Sequence, residues 1–317
     1  MGVRPDAPGS LPPVIGPEVE EFLTWLSVVR GRAPNTVAAY RRDLRAFESW
    51  LGGLSVPEAT VETVEDYIGH LRELGRAPAS VARAAVAVRS LYRYLALEGG
   101  NTADSLGDLE VPKVPRGLPR ALTEPQVEAL LASPTGSEPS GLRDRAILEV
   151  LYGTGIRVSE LVGLSLSDVD LRSRLTKVMG KGRRERIVPL GRMAQEALGD
   201  WLSGAGRPAM EPARWRSRED SEAVFLSARG TRLTRQGVWL VVRRHGTRAG
   251  IARELLSPHV LRHSCATHML DHGADIRTVQ ELLGHASISS TQRYTGVSQV
   301  RLRSVYDRAH PRASVAS

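Results

Sequence analysis

Six polar side chains stand in stretches that otherwise read as apolar core: Arg157 in YGTGIRVSELVGL, Lys181 in MGKGRRERIVPL, His259 and Arg262 in SPHVLRH, His285 in LLGHASISS and Tyr294 in TQRYTGV. His259 and Arg262 are three apart, so on a helix they share a face and aim at one place. Ser257 as cap and Pro258 in the first turn fix that helix start, whose positive backbone end suits an anion. Arginine forks hold non-bridging phosphate oxygens, imidazoles add hydrogen bonds, and a tyrosine hydroxyl supplies a nucleophile. The set therefore suits a phosphate on which charge builds during reaction. It does not suit a metal. No carboxylate cluster accompanies it, Cys265 is the single cysteine, and although His263, His268 and His272 lie close in sequence, the Glu of an HExxH zinc helix is absent. Neither metal nor cofactor is expected.

Taken singly, each of these residues has an ordinary structural reading. His285 reads as a satisfied helix histidine, Arg157 as the ion-pair partner of Glu160, and Tyr294 as an aromatic anchor. Only the ordered set argues for chemistry. Lys181 carries a separate argument: of 43 basic residues only Lys113, Lys177 and Lys181 are lysines. Arginine does not give up its proton at workable pH, whereas lysine beside other cations can. A position that must donate a proton would resist the chain's bias toward arginine.

These residues need elements to position them, and 317 residues exceed what one core usually fills. In DLEVPKVPRGLPRALTEPQ, four prolines between Pro112 and Pro125 exclude a continuous helix. The expected organisation is a flexible N-terminus over 1–16, a helical domain over 17–109, a linker over 110–120, a second domain over 121–311 and a tail over 312–317. The fold class is mainly α with a small β-sheet. In the first domain EVEEFLTWLSV, APNTVAAYRRDLRAFESWL, VETVEDYIGHLREL and APASVARAAVAVRSLYRYLALEG show helical apolar spacing, with Asn35 or Thr36 and Ser80 near helix starts. In the second, Thr123 and Gln126 predict a capping box and SGLRDRAILEVLYGTG a helix ending at glycine. LTKVMGKGRRERIVPL predicts a β-hairpin with Lys181 at its tip, and AVFLS a short strand. Near the C-terminus Leu302, Val305, Tyr306 and Ala309 form an apolar stripe that must be buried on something.

The net charge of +8 favours a polyanionic partner. It is unevenly spread: residues 1–117 carry 13 basic and 15 acidic groups, residues 118–317 carry 30 and 20. Arg41, Arg42, Arg45, Arg83, Arg89, Arg183, Arg184 and Arg235 are the candidates for contacting nucleic acid, against the plainer reading of a solvated face. No apolar run approaches the ~18 to 20 residues that span a bilayer, and the first twenty residues lack the features of a secretory signal. The expectation is a cytoplasmic protein with no membrane partner.

GTGIRVSELVGLSLSDVDL, GKGRRERIVPLG, LSPHVLRHSCATHMLDHGADIRTVQELLGHASISSTQRYT and APNTVAAYRRDL together resemble the tyrosine recombinase (phage integrase) family, and within it the Xer subfamily, from about Glu18 to Pro311. The resemblance implies a SAM-like core-binding domain and a catalytic domain closing on DNA as a C-shaped clamp. It implies that Tyr294 attacks a scissile phosphate to form a 3′-phosphotyrosyl intermediate, activated by Arg157, Lys181, His259, Arg262 and His285, with Glu160 supporting them and His263 and His268 buttressing the helix that carries His259 and Arg262. It further implies double-stranded DNA with a dif-like site, a second Xer recombinase in a cyclic heterotetramer and a septal DNA translocase as partners. The role would be resolution of chromosome dimers, with the tail stripe docked on a neighbouring protomer, against the plainer reading that it packs on its own domain. A phage, integron or transposon integrase, a type IB topoisomerase and a non-catalytic architectural DNA-binding protein are the alternatives. The sequence departs from the family pattern at Gly296 and Cys265, outside the catalytic set.

Overall fold

A computed structural model of the chain describes residues 15–97, 121–180, 185–284 and 296–313. The chain divides into two compact units, Met1–Gly117 and Leu118–Ser317.

The first unit is built from α1 (Pro17–Val28), α2 (Pro34–Leu51), α3 (Val61–Glu73) and α4 (Pro78–Leu97). Three of these open on proline, whose preset φ and missing N–H suit a first helical position. Asn35 and Thr36, expected near a helix start, lie in the first turn of α2 without capping it. Ala33 holds the cap position and no side chain caps there. Phe22, Leu44, Phe47, Tyr67, Leu91 and Tyr92 fill the core, each large side chain worth about 1.5 to 3 kcal/mol on burial. The Tyr92 hydroxyl reaches the core's edge and donates to Val56 O at 2.7 Å.

The second unit runs through α5 (Glu124–Ala132), α6 (Pro139–Thr154), α7 (Val158–Gly163), strands β1 (Val169–Asp170), β2 (Leu175–Met179) and β3 (Glu185–Pro189), then α8 (Arg192–Leu202) and α9 (Arg218–Glu222). α10 (Arg235–Arg248), α11 (Pro258–Asp271), α12 (Ile276–Leu283) and α13 (Gly296–Ala309) follow. The expected capping box forms: Thr123 N donates to Gln126 Oε1 at 2.9 Å and Gln126 N to Thr123 Oγ1 at 3.4 Å. α6 is buried without a break from Ala146 to Thr154, and α8 and α11 pack on it. The sheet is antiparallel in the order β1-β2-β3, with Thr176 opposite Val188 and Val178 opposite Arg186. On β2 Thr176 and Val178 are buried while Lys177 and Met179 are exposed, the period-two pattern of a half-buried strand.

Two expectations need correction. AVFLS is not a strand but makes isolated bridges, Ser165 to Ala223 and Leu226 to Arg232. Its backbone bonds go to different segments, Val224 N to Leu164 O and Leu233 N to Phe225 O, so no ladder runs along it. The tail stripe is buried against its own unit: Leu302, Val305, Tyr306 and Ala309 all join the core of the second unit. Gly191 allows this closeness, because a β-carbon there would meet the Tyr306 hydroxyl at 2.5 Å. Beyond the helix, Arg312 pairs with the buried Glu149, and His310 stacks on Tyr306 with centroids 4.8 Å apart. Among the described residues, no helix is long and apolar enough to cross a membrane.

Candidate active site

The site begins where α6 stops. Gly155 ends it in the left-handed conformation at φ 60°, and a β-carbon there would lie 2.6 Å from Leu283 Cδ2 and 3.1 Å from Cys265 Sγ. Glycine is therefore required twice, for the backbone turn and for the close approach of α11 and α12. Two residues on, Arg157 occupies the cap position of α7. Its backbone N–H donates to Glu160 Oε2 at 2.8 Å, its Nη1 to Glu160 Oε1 at 2.9 Å and its Nη2 to Gly284 O at 3.1 Å.

Arg262 comes from α11, which starts as its sequence predicts, with Ser257 Oγ accepting from Val260 N at 3.3 Å and Pro258 in the first turn. Its side chain is buried. Nη1 donates to Gly155 O at 2.5 Å and Nη2 to Leu283 O at 2.6 Å. His259, three positions earlier on α11, is exposed.

A third guanidinium, Arg186 of β3, completes the cluster. It forms a two-point ion pair with Glu160, Nη1 to Oε1 at 2.8 Å and Nη2 to Oε2 at 2.9 Å, and its Nε donates to Leu282 O at 3.3 Å. Leu282, Leu283 and Gly284 thus each give their carbonyl to a different arginine. These are groups that a helix end leaves without intrahelical partners, at its negative pole. Arg186 was not among the residues singled out in the sequence. Its signal was an arginine at an inward-facing position of an alternating strand, ERIVP, where an apolar residue is the rule.

Three guanidinium groups face one carboxylate here, so the cluster is short of negative charge. Burial raises the Glu160 carboxyl, but hydrogen bonds from Arg186 and Arg157 outweigh it and hold the group below the ordinary carboxylate range. Burial, with Arg157 nearby, lowers Arg262 to about 10; it stays charged at neutral pH and would gain from an anion. Arg157 is the partly open member, its side chain 36% exposed. The arrangement can hold a phosphate by the remaining N–H groups of two arginines, with the His259 imidazole one helical turn from Arg262.

Lys181, Arg183, Arg184, His285 and Tyr294 lie outside the described residues. By sequence, Lys181 falls between β2 and β3, and His285 directly follows Gly284. His263, expected to support α11, is exposed. His268, expected to support the same helix, is buried: its Nε2 donates to Leu122 O at 2.8 Å, so its Nδ1 accepts from the Tyr152 hydroxyl at 2.9 Å. Burial pushes the Cys265 thiol up to about 12, which leaves it a neutral core group beside Gly155.

Of the arginines offered for nucleic acid, Arg41 pairs with Glu20 and Arg83 with Asp43. Arg42 and Arg45 are exposed on α2, Arg89 is half-buried on α4, and Arg235 is exposed at the start of α10.

The phage integrase family model matches residues 120–301, and the model for the phage integrase N-terminal SAM-like domain matches residues 19–99. The chain is 43% identical over 299 residues to the tyrosine recombinase XerD of Halalkalibacterium halodurans, covering 93% of this chain and 98% of that protein. It is 44% identical over 300 residues to the tyrosine recombinase XerD of Yersinia pestis, covering 94% and 98%. Among solved structures, it resembles the XerH site-specific recombinase bound to palindromic difH substrate in a post-cleavage complex, with TM-score 0.64, 22% identity, and 91% of this chain and 84% of that one covered. It also resembles a lambda integrase dimer bound to a COC′ core site, with TM-score 0.65, 19% identity, and 88% and 98% covered. The likeness to these two structures is one of fold.

Proposed function

The chain belongs to the phage integrase family of tyrosine recombinases, and on that premise we propose that it is a Xer-type recombinase acting as XerD, resolving chromosome dimers at a dif-like site. Identity above 40% over nearly the whole of two XerD proteins supports the subfamily. DLRSRLTKVMGKG and the closing RLRSVYDRAHPRA side with XerD rather than XerC.

The observation that carries the chemistry is the convergence of Arg157 and Arg262, from different helices, on the end of α12 directly before His285. In the proposed reaction the Tyr294 hydroxyl oxygen attacks the phosphorus in line. The bond to the 5′ oxygen breaks, and Lys181 gives that oxygen a proton as it leaves. A 3′-phosphotyrosyl link forms and keeps the energy of the original ester, so rejoining needs no nucleotide cofactor. Arg157 and Arg262 neutralise charge on the non-bridging oxygens, while His259 and His285 hydrogen-bond to the transition state and assist removal of the phenol proton. Arg42, Arg45 and Arg235 contact the phosphate backbone and make binding salt dependent. The partners are double-stranded DNA, a second Xer recombinase in a cyclic heterotetramer and a septal DNA translocase, and the protein works in the cytoplasm.

Sequencing DNA recovered with the protein from its own chromosome tests this reading. A short imperfect palindrome near the replication terminus is expected. Recovery at the ends of a mobile element would replace it with an integrase of the same family.

A further inference from the structure

Arg186 stands outside the residues assigned to the reaction, yet it joins two parts of the site. A buried guanidinium is costly unless fully partnered, and this one, 7% exposed, spends its fork on Glu160 and its Nε on Leu282 O. Glu160 accepts two N–H groups from Arg157 and two from Arg186, one of each on either oxygen. That fills the four positions a carboxylate offers. The two arginines are not equivalent, because the Arg157 side chain is 36% exposed and that of Arg186 is 7% exposed. Arg186 holds the carboxylate from the buried side, and the carboxylate in turn fixes the exposed guanidinium. Gly284 lies directly over this contact: at φ 67° it places a hypothetical β-carbon 3.1 Å from Arg186 Cζ.

We propose that Arg186 is a positioning residue for strand cleavage, setting the Arg157 guanidinium through Glu160 and the end of α12 through Leu282 O. The proposal rests on the recombinase reading above. Lysine cannot substitute, because it lacks the planar fork that meets both carboxylate oxygens. Without Arg186, Glu160 is left with Arg157 as its one cationic partner, and the carboxylate swings to take the second Nη of Arg157. That draws the guanidinium away from the phosphate.

The test is single-turnover cleavage of a nicked half-site duplex by Arg186→Gln, Arg186→Lys, Arg157→Gln and the Arg157→Gln/Arg186→Gln double variant, with half-site binding measured beside it. Arg186→Gln should slow cleavage by about a hundredfold, the order expected for a misplaced catalytic group. Binding should change less than about threefold, and Arg186→Lys should remain defective. Because Arg186 acts through Arg157, the double variant should be little worse than Arg157→Gln alone. Effects that multiply, or equal losses of binding and cleavage, would assign Arg186 to structure only and overturn the proposal. If Arg186→Gln does not fold, Glu160→Gln/Arg186→Met removes both buried charges together, and the same slow cleavage with intact binding is required of it. Tyr294→Phe separates the premises: if it still forms a covalent complex the recombinase reading fails, whereas a dead Tyr294→Phe beside a normal Arg186→Gln sinks this proposal alone.

Discussion

The Tyr306 hydroxyl donates to the Gly153 carbonyl at 2.7 Å, tying the tail helix to the last turn of α6, two residues before the glycine that opens the arginine cluster. Tyr306 is fully buried, and burial raises its hydroxyl well above the ordinary phenol value, so it acts here as a neutral donor. Tyr306→Phe leaves the ring in place and the buried carbonyl without that donor. The expected loss is about 1 to 3 kcal/mol of unfolding free energy, read from denaturant midpoints. Tyr306→Ala also leaves a cavity and should lose about 3 to 5 kcal/mol. A Phe variant as stable as the parent would show that the bond contributes nothing.

His310 stacks on the same tyrosine and is enclosed by Tyr152, Cys265 and the backbone N–H of Arg312. Burial pushes its imidazole from 6.5 down to about 3. Between those values the unfolded chain binds a proton that the folded chain does not, so this contribution to stability is complete above about 6.5 and is lost as pH falls below it. Denaturant midpoints at pH 7.5 and 5.5 should therefore drop more for the parent than for His310→Asn. Parallel drops would mean that His310 takes up its proton in the folded chain.

Lys181 as proton donor predicts a substrate-dependent defect. Lys181→Ala should cut ordinary DNA far more slowly than the parent, by about 10²-fold or more for loss of a general acid. On DNA with a 5′-bridging phosphorothiolate, whose sulfur leaves without protonation, most of the defect should disappear. Equal defects on both substrates would make Lys181 a phosphate-binding or hairpin residue instead.

What could be read beforehand was what depends on neighbours in sequence. The Thr123–Gln126 capping box, the Ser257-Pro258 helix start, the glycine end of α6 and the pairing of β2 with β3 all follow from residues within a few positions of one another. What depends on distant partners could not. In GKGRRERIVPL, Arg186 is one of several arginines, and nothing local says that it meets Glu160, 26 positions away. An amphipathic stripe says that Leu302 and Tyr306 must be covered, but not by which surface, and here it is their own domain. Likewise Arg41 and Arg83 read as a basic face until their partners Glu20 and Asp43 are placed beside them. Arg157 and Arg262 were legible as part of a set because charged groups recurred in apolar contexts, a pattern that core packing alone does not produce, whereas Glu160 was given a role only by the family resemblance.

The recombinase reading requires that Tyr294 become covalently joined to DNA. Incubating the full-length protein with a nicked duplex carrying its site, then separating the products on a denaturing gel, measures this directly. The parent should give a slowly migrating protein–DNA band in which the protein is joined to the 3′ end of the cut strand, and protease should collapse it. Tyr294→Phe, which keeps the ring and loses the attacking oxygen, should bind the same duplex and give no such band. A covalent band from Tyr294→Phe, or none from the parent on DNA that it demonstrably binds, would rule out Tyr294 as the nucleophile.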